Sequence, residues 1–462
     1  MNTYIKLTHR IIATLGLVIT GLVSCKKLVT VSPTANISTA IAYSDSTTTE
    51  ANVNGIYYQL QQAGVMYNYI YFSTYPLLSD EADIGSATNA FILEFSSNQI
   101  TTSNTNVSSL WSNNLKTIYQ ANSVLENVGN LSFLSIAKKN QFMGEARFVR
   151  AYCYFILTSY FGKVPLATTS DYKVNDALSR SDTSVLYDFV INELRAADSL
   201  LPSGYTAFGN ARIRACREAA EGLLARVYLS KGDWTNAELY ATKVINSPLF
   251  TLQTTLSNIW TVNSPESIWE IWASSTSYAY ENFTAQSLLP VNTSSPLLPS
   301  VIPSARLVGS FEAGDARKTN YLSYQAAGDY YYVYKYRDRI TGSDQPKILR
   351  LAEMYLIRAE ARARQNSLTD AAADIDMIRN RAGLSNTTAS TQSDLLSAIM
   401  QERYVELCFE GFRWLDLKRT GMADAVMGAY RPATWKPAAK LLPVPATELG
   451  ANPNLLPQNN GY

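Results

Sequence analysis

Two stretches of the chain carry the same pattern of small, aliphatic and aromatic residues at helical spacing. The first stretch sets Leu224, Ala225 and Tyr228 on one helix, Gly232 and Asp233 at a turn, and Ala237, Tyr240 and Ala241 on a second helix. The second sets Ala352, Tyr355, Ala359 and Ala363 on one helical face and Ala371, Ile375 and Ile378 on the face of a partner helix. A helical hairpin of this kind cannot bury its apolar stripe alone. The pattern therefore predicts hairpins stacked around one continuous core.

The repeat spacing is typical of a tetratricopeptide unit. Apolar periodicity predicts further helices over residues 46–62, 108–127, 136–160 and 183–200. We expect 46–62 to pair with 108–127, and 136–160 to pair with 183–200, as two degenerate units. The predicted fold is therefore mainly α, a tetratricopeptide-like helical-repeat scaffold of about four helix pairs.

Two regions depart from the helical pattern. Residues 249–345 are rich in Ser, Thr, Asn, Pro and aromatics, with short alternating runs at 267–272 and 330–336, so they predict a loop-rich, partly β insertion. The C-terminal stretch contains Pro437, Pro443, Pro445, Pro453 and Pro457 and predicts an extended strap. The predicted parts are an N-terminal part with helical repeats at 46–248, the insertion at 249–345, and the last repeat with its strap at 346–462.

The N-terminus has the pattern of a secretory signal. Lys6 and Arg10 precede an uncharged apolar run over 11–23, which is too short to span a bilayer comfortably. The run ends at Leu22, Val23 and Ser24 before Cys25, a sequence that suits a lipoprotein signal peptidase. We predict a signal peptide over 1–24, lipidation at Cys25 and a tether over 25–45. An ordinary signal with a chance cysteine, or an uncleaved anchor, is the alternative.

Composition excludes several classes of chemistry. The only histidine in the chain is His9, within the predicted signal, so histidine-based triads and metal clusters are excluded from the mature protein. The formal net charge of +1 comes without a basic run, which argues against nucleic acid as a partner. The other cysteines, Cys153, Cys216 and Cys408, lie far apart in apolar contexts and are expected to be buried thiols. We predict no metal and no cofactor.

Seven segments of the chain are informative when they are taken together: Leu78 to Asp83, Gly144 to Tyr152, Phe161 to Leu166, Leu349 to Ala361, Glu402 to Gly421, Leu441 to Pro445 and Asn452 to Leu455. In combination they resemble the SusD/RagB family of nutrient-binding outer-membrane lipoproteins. Each of them alone is weak, but their order and spacing fit from Cys25 to Tyr462.

The resemblance implies a function. It implies non-catalytic binding of a nutrient, most often an oligosaccharide, and delivery to a SusC-like TonB-dependent transporter. It also implies a lipid anchor in the outer membrane that leaves the protein facing the cell surface. The alternatives left open are a peptide-binding member of the same family, a carboxylate-based glycosidase, and a repeat scaffold that grips protein segments.

Two groups of charged residues are possible sites. Glu402, Glu406 and Glu410 follow one another at i, i+4 among arginines, which indicates salt-bridged packing more than paired catalytic carboxylates. Asp80, Glu81 and Asp83 lack the spacing of a calcium loop, so a role in fixing a loop is favoured over a metal site.

The layout of the family places the ligand surface where the segment after the first helix meets the insertion. Sugars present apolar C–H faces edged with hydroxyls, so exposed aromatics beside amides suit them. On this basis the candidate ligand-binding residues are Asn89, Phe91, Tyr278, Tyr280 and Phe283, with Tyr67, Tyr69 and Tyr71 in reserve. The alternative is that these side chains pack the insertion onto the scaffold.

Overall fold

A computed structural model describes residues 39–62, 72, 74–271, 283–292, 296–339 and 341–462. The chain divides into two units, Met1–Glu50 and Ala51–Tyr462. In the described part of the first unit, helix α1 (Thr39–Ala42) precedes a helix whose start is capped by Asp45, because the Asp45 Oδ1 accepts a hydrogen bond from the Thr48 N–H at 2.9 Å. Cys25 lies outside the described residues, so its lipidation remains a prediction.

Helices dominate the described residues. After α1 and before the insertion they are α2 (Ser46–Gln62), α3 (Ala90–Ser97), α4 (Thr105–Asn127), α5 (Ile136–Phe161), α6 (Tyr172–Asn175), α7 (Thr183–Leu200), α8 (Arg217–Lys231) and α9 (Trp234–Ile245). The insertion adds three short helices, α10 (Phe283–Leu288), α11 (Ala305–Gly309) and α12 (Arg317–Tyr321). The C-terminal part holds α13 (Leu351–Arg364), α14 (Leu368–Arg381), α15 (Gln392–Glu406), α16 (Arg413–Arg419), α17 (Ala423–Tyr430) and α18 (Ala446–Ala451).

Eight of these helices form one stack in the second unit. Each packs on the next in the order α4, α5, α7, α8, α9, α13, α14 and α15. Seven of these helices belong to the four helix pairs predicted from the sequence, and α15 is in none of those pairs. The expected pairing of 136–160 with 183–200 is confirmed, since α5 packs extensively on α7. The expected pairing of 46–62 with 108–127 is wrong, because the helix that packs along α4 is α5.

The turn in the first repeat follows from its sequence. Gly232 ends α8 with a φ of +77°, which glycine adopts without strain. Asp233 then caps α9, because its Oδ1 accepts a hydrogen bond from the Asn236 N–H at 3.1 Å. The second repeat also ends as predicted, with Gly383 at a φ of +79° directly after α14. Both hairpins are therefore confirmed.

Helix α5 lies at the centre of the stack and is buried on nearly all sides. Phe148, Val149, Tyr152 and Phe155 are each at most 1% exposed. Near the start of the helix, a Cβ added at Gly144 would lie 2.9 Å from the Leu201 Cγ, so the absence of a side chain allows this close approach. The crowded apolar sequence of α5 is thus explained by packing against α4 on one side and α7 on the other.

The strands form four antiparallel pairs in the described residues. They are β1 (Ala82–Ile84) with β5 (Val301–Pro303), β2 (Val164–Pro165) with β3 (Arg180–Ser181), β4 (Ser267–Glu270) with β8 (Lys347–Arg350), and β6 (Leu322–Gln325) with β7 (Tyr330–Val333). Most of these strands lie in or next to the insertion, which is therefore partly β as predicted. The β4–β8 pair joins its start to the strand that precedes α13, and the β1–β5 pair joins it to the segment after α2.

Two regions are more ordered than the sequence indicates. Residues 75–97, where apolar periodicity predicts no helix, contain a 3₁₀ turn (Tyr75–Leu78), β1 and α3. The C-terminal strap contains α18 and two 3₁₀ turns, Pro437–Lys440 and Pro453–Leu455, between its extended stretches. None of the helices in the described ranges combines the length and the hydropathy needed to cross a membrane.

Candidate functional site

The arginine-rich acidic cluster around Glu406 is a buried ion network. The Glu406 carboxylate is fully buried and lies 2.6 Å from the Arg350 Nη1, 3.3 Å from the Arg317 Nη1, and in contact with Arg381. Burial alone would raise the pKa of Glu406, but the charges of Arg381, Arg350 and Arg317 outweigh it and hold this pKa well below its ordinary value. The residue is therefore an anion enclosed by cations.

The neighbouring glutamates have the same environment. Glu402 lies 2.8 Å from the Arg317 Nη1 and 2.7 Å from the Arg379 Nη1, and Glu410 lies 2.7 Å from the Arg350 Nε. Helix α15 ends at Glu406, so Glu410 belongs to the following turn and not to a helical ladder. Salt-bridged packing between elements is confirmed. Each of these carboxylates forms an ion pair with an arginine, so none of the three is available for acid–base catalysis.

The acidic segment after α2 fixes a loop. The Asp80 carboxylate accepts two hydrogen bonds from the Arg413 guanidinium, at 2.7 and 2.9 Å, and the Asp83 Oδ1 accepts one from the Tyr430 hydroxyl at 2.6 Å. The Glu81 carboxylate accepts a hydrogen bond from the Phe409 N–H. The loop-fixing role expected for these residues is therefore what their contacts show. Across the described ranges, no three His, Cys, Asp or Glu side chains are grouped to hold a metal ion.

Of the candidate ligand residues predicted from the sequence, the structure describes the side chains of Asn89 and Phe91. Asn89 is exposed and forms the N-cap of α3, where its Oδ1 accepts a hydrogen bond from the Phe91 N–H at 2.9 Å; Phe91 is half-buried. Tyr278 and Tyr280 lie outside the described residues, as do Tyr67, Tyr69 and Tyr71. The backbone of Phe283 begins α10, and its side chain is also outside the description.

A concave site lies between α2 and the start of the insertion. We call it the Tyr58 cleft. It has a volume of about 630 Å³ and is lined by Ala51, Asn54, Gly55, Tyr57, Tyr58, Leu60, Ile213, Arg214, Trp269, Glu270 and Ile271. This volume lies within the range of small-molecule sites, which are mostly apolar with a few polar groups. No described residue of the segment after α2 lines the cleft, so the cleft and the ligand surface predicted from the sequence are built from different residues.

One wall of the Tyr58 cleft is a face of α2. Asn54 and Tyr58 are four residues apart, so an amide and an aromatic ring lie side by side on this face. Tyr58 is 49% exposed, which is unusual for a large aromatic side chain. Gly55 lies between them, and a Cβ added there would meet nothing within 4 Å. The wall therefore offers a flat ring, an amide and open space.

The opposite wall is held rigidly. Trp269 is 1% exposed and is packed edge-on by the rings of Phe148 and Tyr152, at centroid distances of 4.8 and 5.0 Å. Its Nε1 donates a hydrogen bond to the Ile213 carbonyl at 3.3 Å, which links β4 to the loop before α8. A wall fixed in this way can bind a ligand without losing side-chain freedom.

Arg214 contributes a fixed positive charge to the same cleft. Its Nε and Nη2 donate to the Glu145 carboxylate at 2.8 and 2.7 Å, and its guanidinium lies 5.0 Å from the centre of the Phe208 ring. Tyr57 is tied into this group, since its hydroxyl accepts a hydrogen bond from the Ala215 N–H at 3.1 Å. Burial and then the charge of Glu145 raise the pKa of Tyr57 well above its ordinary value, so it is a neutral phenol.

Sequence reasoning missed the residues of this cleft because they come from three distant segments. No local pattern connects Tyr58 with Ile213 or Trp269. One signal was available: Asn54, Gly55 and Tyr58 place an amide, a glycine and an aromatic ring outside the buried apolar face of α2, which is made by Val53, Ile56 and Leu60. A glycine inside a helix lowers stability, so Gly55 suggests that the space beside α2 has to stay open.

Two family profiles match the chain. The profile described as "SusD family" matches residues 312–462, and the profile described as "Starch-binding associating with outer membrane" matches residues 35–229. Among curated relatives, SusD-like protein P2 of Formosa agariphila is 27% identical over 84% of this chain and 87% of its own length. The starch-binding protein SusD of Bacteroides thetaiotaomicron is 26% identical over 69% of this chain and 72% of its own length.

Solved structures share the fold. A SusD superfamily protein of Bacteroides vulgatus superposes with a TM-score of 0.80 at 19% identity, covering 91% of this chain and 100% of its own. A laminarin-binding SusD-like protein superposes with a TM-score of 0.78 at 24% identity, covering 90% of this chain and 100% of its own. The similarity in structure therefore extends over nearly the whole chain.

Proposed function

The chain belongs to the SusD/RagB family, and from this membership together with the Tyr58 cleft we propose that it binds an oligosaccharide and leaves it chemically unchanged. The laminarin-binding and starch-binding relatives support carbohydrate as the ligand class. Their own ligands are not carried over, because fold and family do not specify which glycan a site accepts.

The observation that carries the proposal is the chemistry of the Tyr58 cleft. A sugar ring has apolar C–H faces, which pack on an aromatic ring, and hydroxyls at its edge, which bond to amides and guanidinium groups. Tyr58, Asn54 and Arg214 provide these three partners around one open volume. The ring of Tyr58 stacks on the sugar, and the polar groups set its orientation.

The contacts of the carboxylates favour binding over hydrolysis. A glycosidase needs two carboxyl groups that flank the scissile bond. Glu270 lies 2.7 Å from the Lys347 Nζ, and Glu145, which holds Arg214, is fully buried. Both carboxylates are engaged in ion pairs that shape the cleft. We therefore propose that the protein binds its ligand and is not an enzyme. A peptide ligand is the alternative within the family.

We further propose that a SusC-like TonB-dependent transporter receives the ligand. The family is associated with the outer membrane, and a lipid on Cys25 would tether the binder beside the transporter at the cell surface. Tethering raises the local concentration of the binder, so handover works even at modest affinity. Copurification of a barrel protein of this class from the native membrane would support the proposal, and recovery of soluble proteins alone would favour the protein-gripping scaffold.

Ligand binding is tested by calorimetry of the protein with a panel of oligosaccharides and peptides. We expect at least one oligosaccharide to bind and Tyr58→Ala to weaken its affinity by about tenfold or more, since aromatic anchors dominate such sites. Tyr324→Ala is the matched control, because Tyr324 is similarly exposed, at 50%, and lies outside the cleft. Binding of peptides only, or release of product from any glycan, would contradict the proposal.

The residues nominated from the sequence remain a second candidate surface, separate from the Tyr58 cleft. The same titration should include five variants with one residue each changed to alanine, at Asn89, Phe91, Tyr278, Tyr280 and Phe283. A loss of affinity in these variants with an unchanged Tyr58→Ala would move the site from the Tyr58 cleft to the surface predicted from the sequence.

A further inference from the structure

A second cleft lies between α4, at the start of the helical stack, and the C-terminal strap. We call it the Tyr119 cleft. It has a volume of about 300 Å³ and is bounded by α4, by the segment 165–178 and by residues 448–455 of the strap. This volume is at the lower end of the range for small-molecule sites, which suits a single ring better than an extended chain. It shares no lining residue with the Tyr58 cleft.

The walls of the Tyr119 cleft are tied to one another. The Asn452 Nδ2 donates to the Leu178 carbonyl at 2.8 Å, which joins the strap to the segment 165–178. The Asn122 Nδ2 donates to the Ala167 carbonyl at 3.1 Å, which joins α4 to the same segment. Three distant parts of the chain are therefore held in a fixed arrangement, and a ligand would bind without first having to order them.

One face of α4 supplies the aromatic surface of the cleft. Trp111, Leu115 and Tyr119 are spaced four residues apart and lie on one face. Their exposure increases along the helix, from 0% at Trp111 to 51% at Tyr119. The cleft thus passes from an apolar floor to an exposed phenol ring at its mouth, the arrangement that the C–H face of a sugar ring requires.

Two buried polar atoms on lining residues have no hydrogen-bond partner in the described structure. They are the Nε1 of Trp111, which can only donate, and the Oδ1 of Asn175, which can only accept. Buried polar groups without partners are uncommon and destabilising. Both atoms have almost no surface open to water, so a ligand hydroxyl would reach them only after the Trp111 and Asn175 side chains had moved.

The charge of the cleft narrows the ligand class. Asp176 and Glu448 lie among its lining residues, and none of the described lining residues is Lys or Arg. Carboxylates accept hydrogen bonds from sugar hydroxyls but repel uronic acids and sulfated or phosphorylated sugars. The cleft therefore disfavours anionic sugars, and a neutral ring can enter without this repulsion.

We propose that the Tyr119 cleft is a second carbohydrate site, which takes one neutral sugar ring. The ring packs on Tyr119, and the carboxylates of Asp176 and Glu448 accept hydrogen bonds from its hydroxyls. This site is independent of the function proposed for the Tyr58 cleft, so either one can fail without the other.

The test is saturation-transfer NMR on the mature-length protein with the methyl glycosides of glucose, galactose, mannose and xylose at millimolar concentration, and with methyl glucuronide as the charged comparison. We expect at least one neutral glycoside to bind the unmodified protein and Tyr58→Ala alike. Tyr119→Ala should weaken that binding by about tenfold or more, whereas Tyr324→Ala should leave it unchanged. Tyr119 is exposed, so its replacement does not threaten the fold.

Three outcomes would overturn the proposal. If no glycoside binds, the two unpaired atoms are satisfied by water or by local movement alone. If binding survives Tyr119→Ala and is lost in Tyr58→Ala, the sugars occupy the first cleft. If methyl glucuronide binds as tightly as the neutral glycosides, the assignment of an uncharged ligand is wrong.

Discussion

The carboxylate of Glu81 accepts a hydrogen bond from the backbone N–H of Phe409, a residue 328 positions later in the chain. Phe409 has a φ of +56°, in the left-handed region that non-glycine residues rarely adopt. The glutamate is 1% exposed. A buried side chain from the segment after α2 therefore holds the strained turn that follows α15.

The protonation of Glu81 should make stability depend on pH. Burial raises the pKa of Glu81 to about 8, although the Phe409 N–H and the charges of Lys335 and Arg413 oppose the shift. The folded state then binds a proton that the unfolded state releases between pH 4.5 and about 8, so stability falls as pH rises through this window.

We expect Glu81→Gln, which keeps an oxygen that can accept the Phe409 N–H, to remove this contribution. Urea denaturation at several pH values should give a free energy of unfolding that falls with pH more steeply in the unmodified protein than in the variant. The difference in slope is at most about 1.4 kcal/mol per pH unit. Parallel profiles from pH 5 to pH 9 would contradict the prediction.

Removing one cation from the buried ion network should strongly destabilise the fold. The Arg350 guanidinium contacts Glu266, Glu406 and Glu410 at 2.9, 2.6 and 2.7 Å. Arg350→Met leaves these buried carboxylates with too little positive charge, and we expect a loss of about 3–5 kcal/mol in the free energy of unfolding. Arg350→Lys should recover only part of the loss, because an ammonium group lacks the planar fork of guanidinium.

The control for Arg350 is an ion pair at the surface. Lys440 lies 2.8 Å from Asp424, and both side chains are well exposed. Lys440→Met should therefore change the free energy of unfolding by less than about 1 kcal/mol. If Arg350→Met and Lys440→Met lowered the free energy of unfolding equally in the same assay, burial would not explain the effect at Arg350.

Two helical glycines should respond to alanine in opposite ways. At Gly55, a Cβ meets nothing within 4 Å, so Gly55→Ala should stabilise the protein by about 0.5–1 kcal/mol. At Gly144, a Cβ would lie 2.9 Å from the Leu201 Cγ, and overpacking should cost about 1–3 kcal/mol. Thermal unfolding of both variants checks the pair, and a shift of the same sign in both would refute it.

Gly55 also offers a separation of stability from binding. Gly55→Leu should fold, since the added side chain enters open space, but it should fill the Tyr58 cleft and weaken oligosaccharide binding by about tenfold or more. Undiminished binding by a folded Gly55→Leu protein would place the ligand elsewhere.

Lipidation can be tested at a single position. Cys25→Ser removes the thiol that would carry the lipid, so we expect the protein to leave the outer-membrane fraction and appear in the soluble fraction. Metabolic labelling with a fatty-acid analogue should give a signal only in the unmodified protein. Equal membrane association of both forms would favour an uncleaved apolar anchor.

The sequence predicts the scaffold well because the information is local. Gly232 and Asp233 specify a turn by backbone conformation and capping, and the apolar periods on either side define two helices. The helix Ala90–Ser97 was missed although Asn89 is a favourable N-cap before an apolar run. The sequence analysis predicts a sugar contact at Asn89, whereas the structure shows that its side chain caps this helix.

The candidate site is harder to predict because its parts meet only in the folded chain. Trp269 reaches the Tyr58 cleft through the pairing of β4 with β8, and Arg214 is fixed by Glu145 from α5. Neither relationship leaves a periodic trace in the sequence. For the ion network, by contrast, the alternation of Glu and Arg along α15 was enough to predict packing, though not the departure of Glu410 from the helix.

The loop from Leu77 to Asp83 takes several of its contacts from residues that follow it by more than 300 positions, including Tyr404 and Arg431. Closing so long a segment carries a large entropic cost, which must be met before these contacts contribute. We therefore expect this loop to order last, once the C-terminal third has been synthesised. Incompletely made chains would then be recognisable to proteases by this loop, while their helical hairpins are already formed.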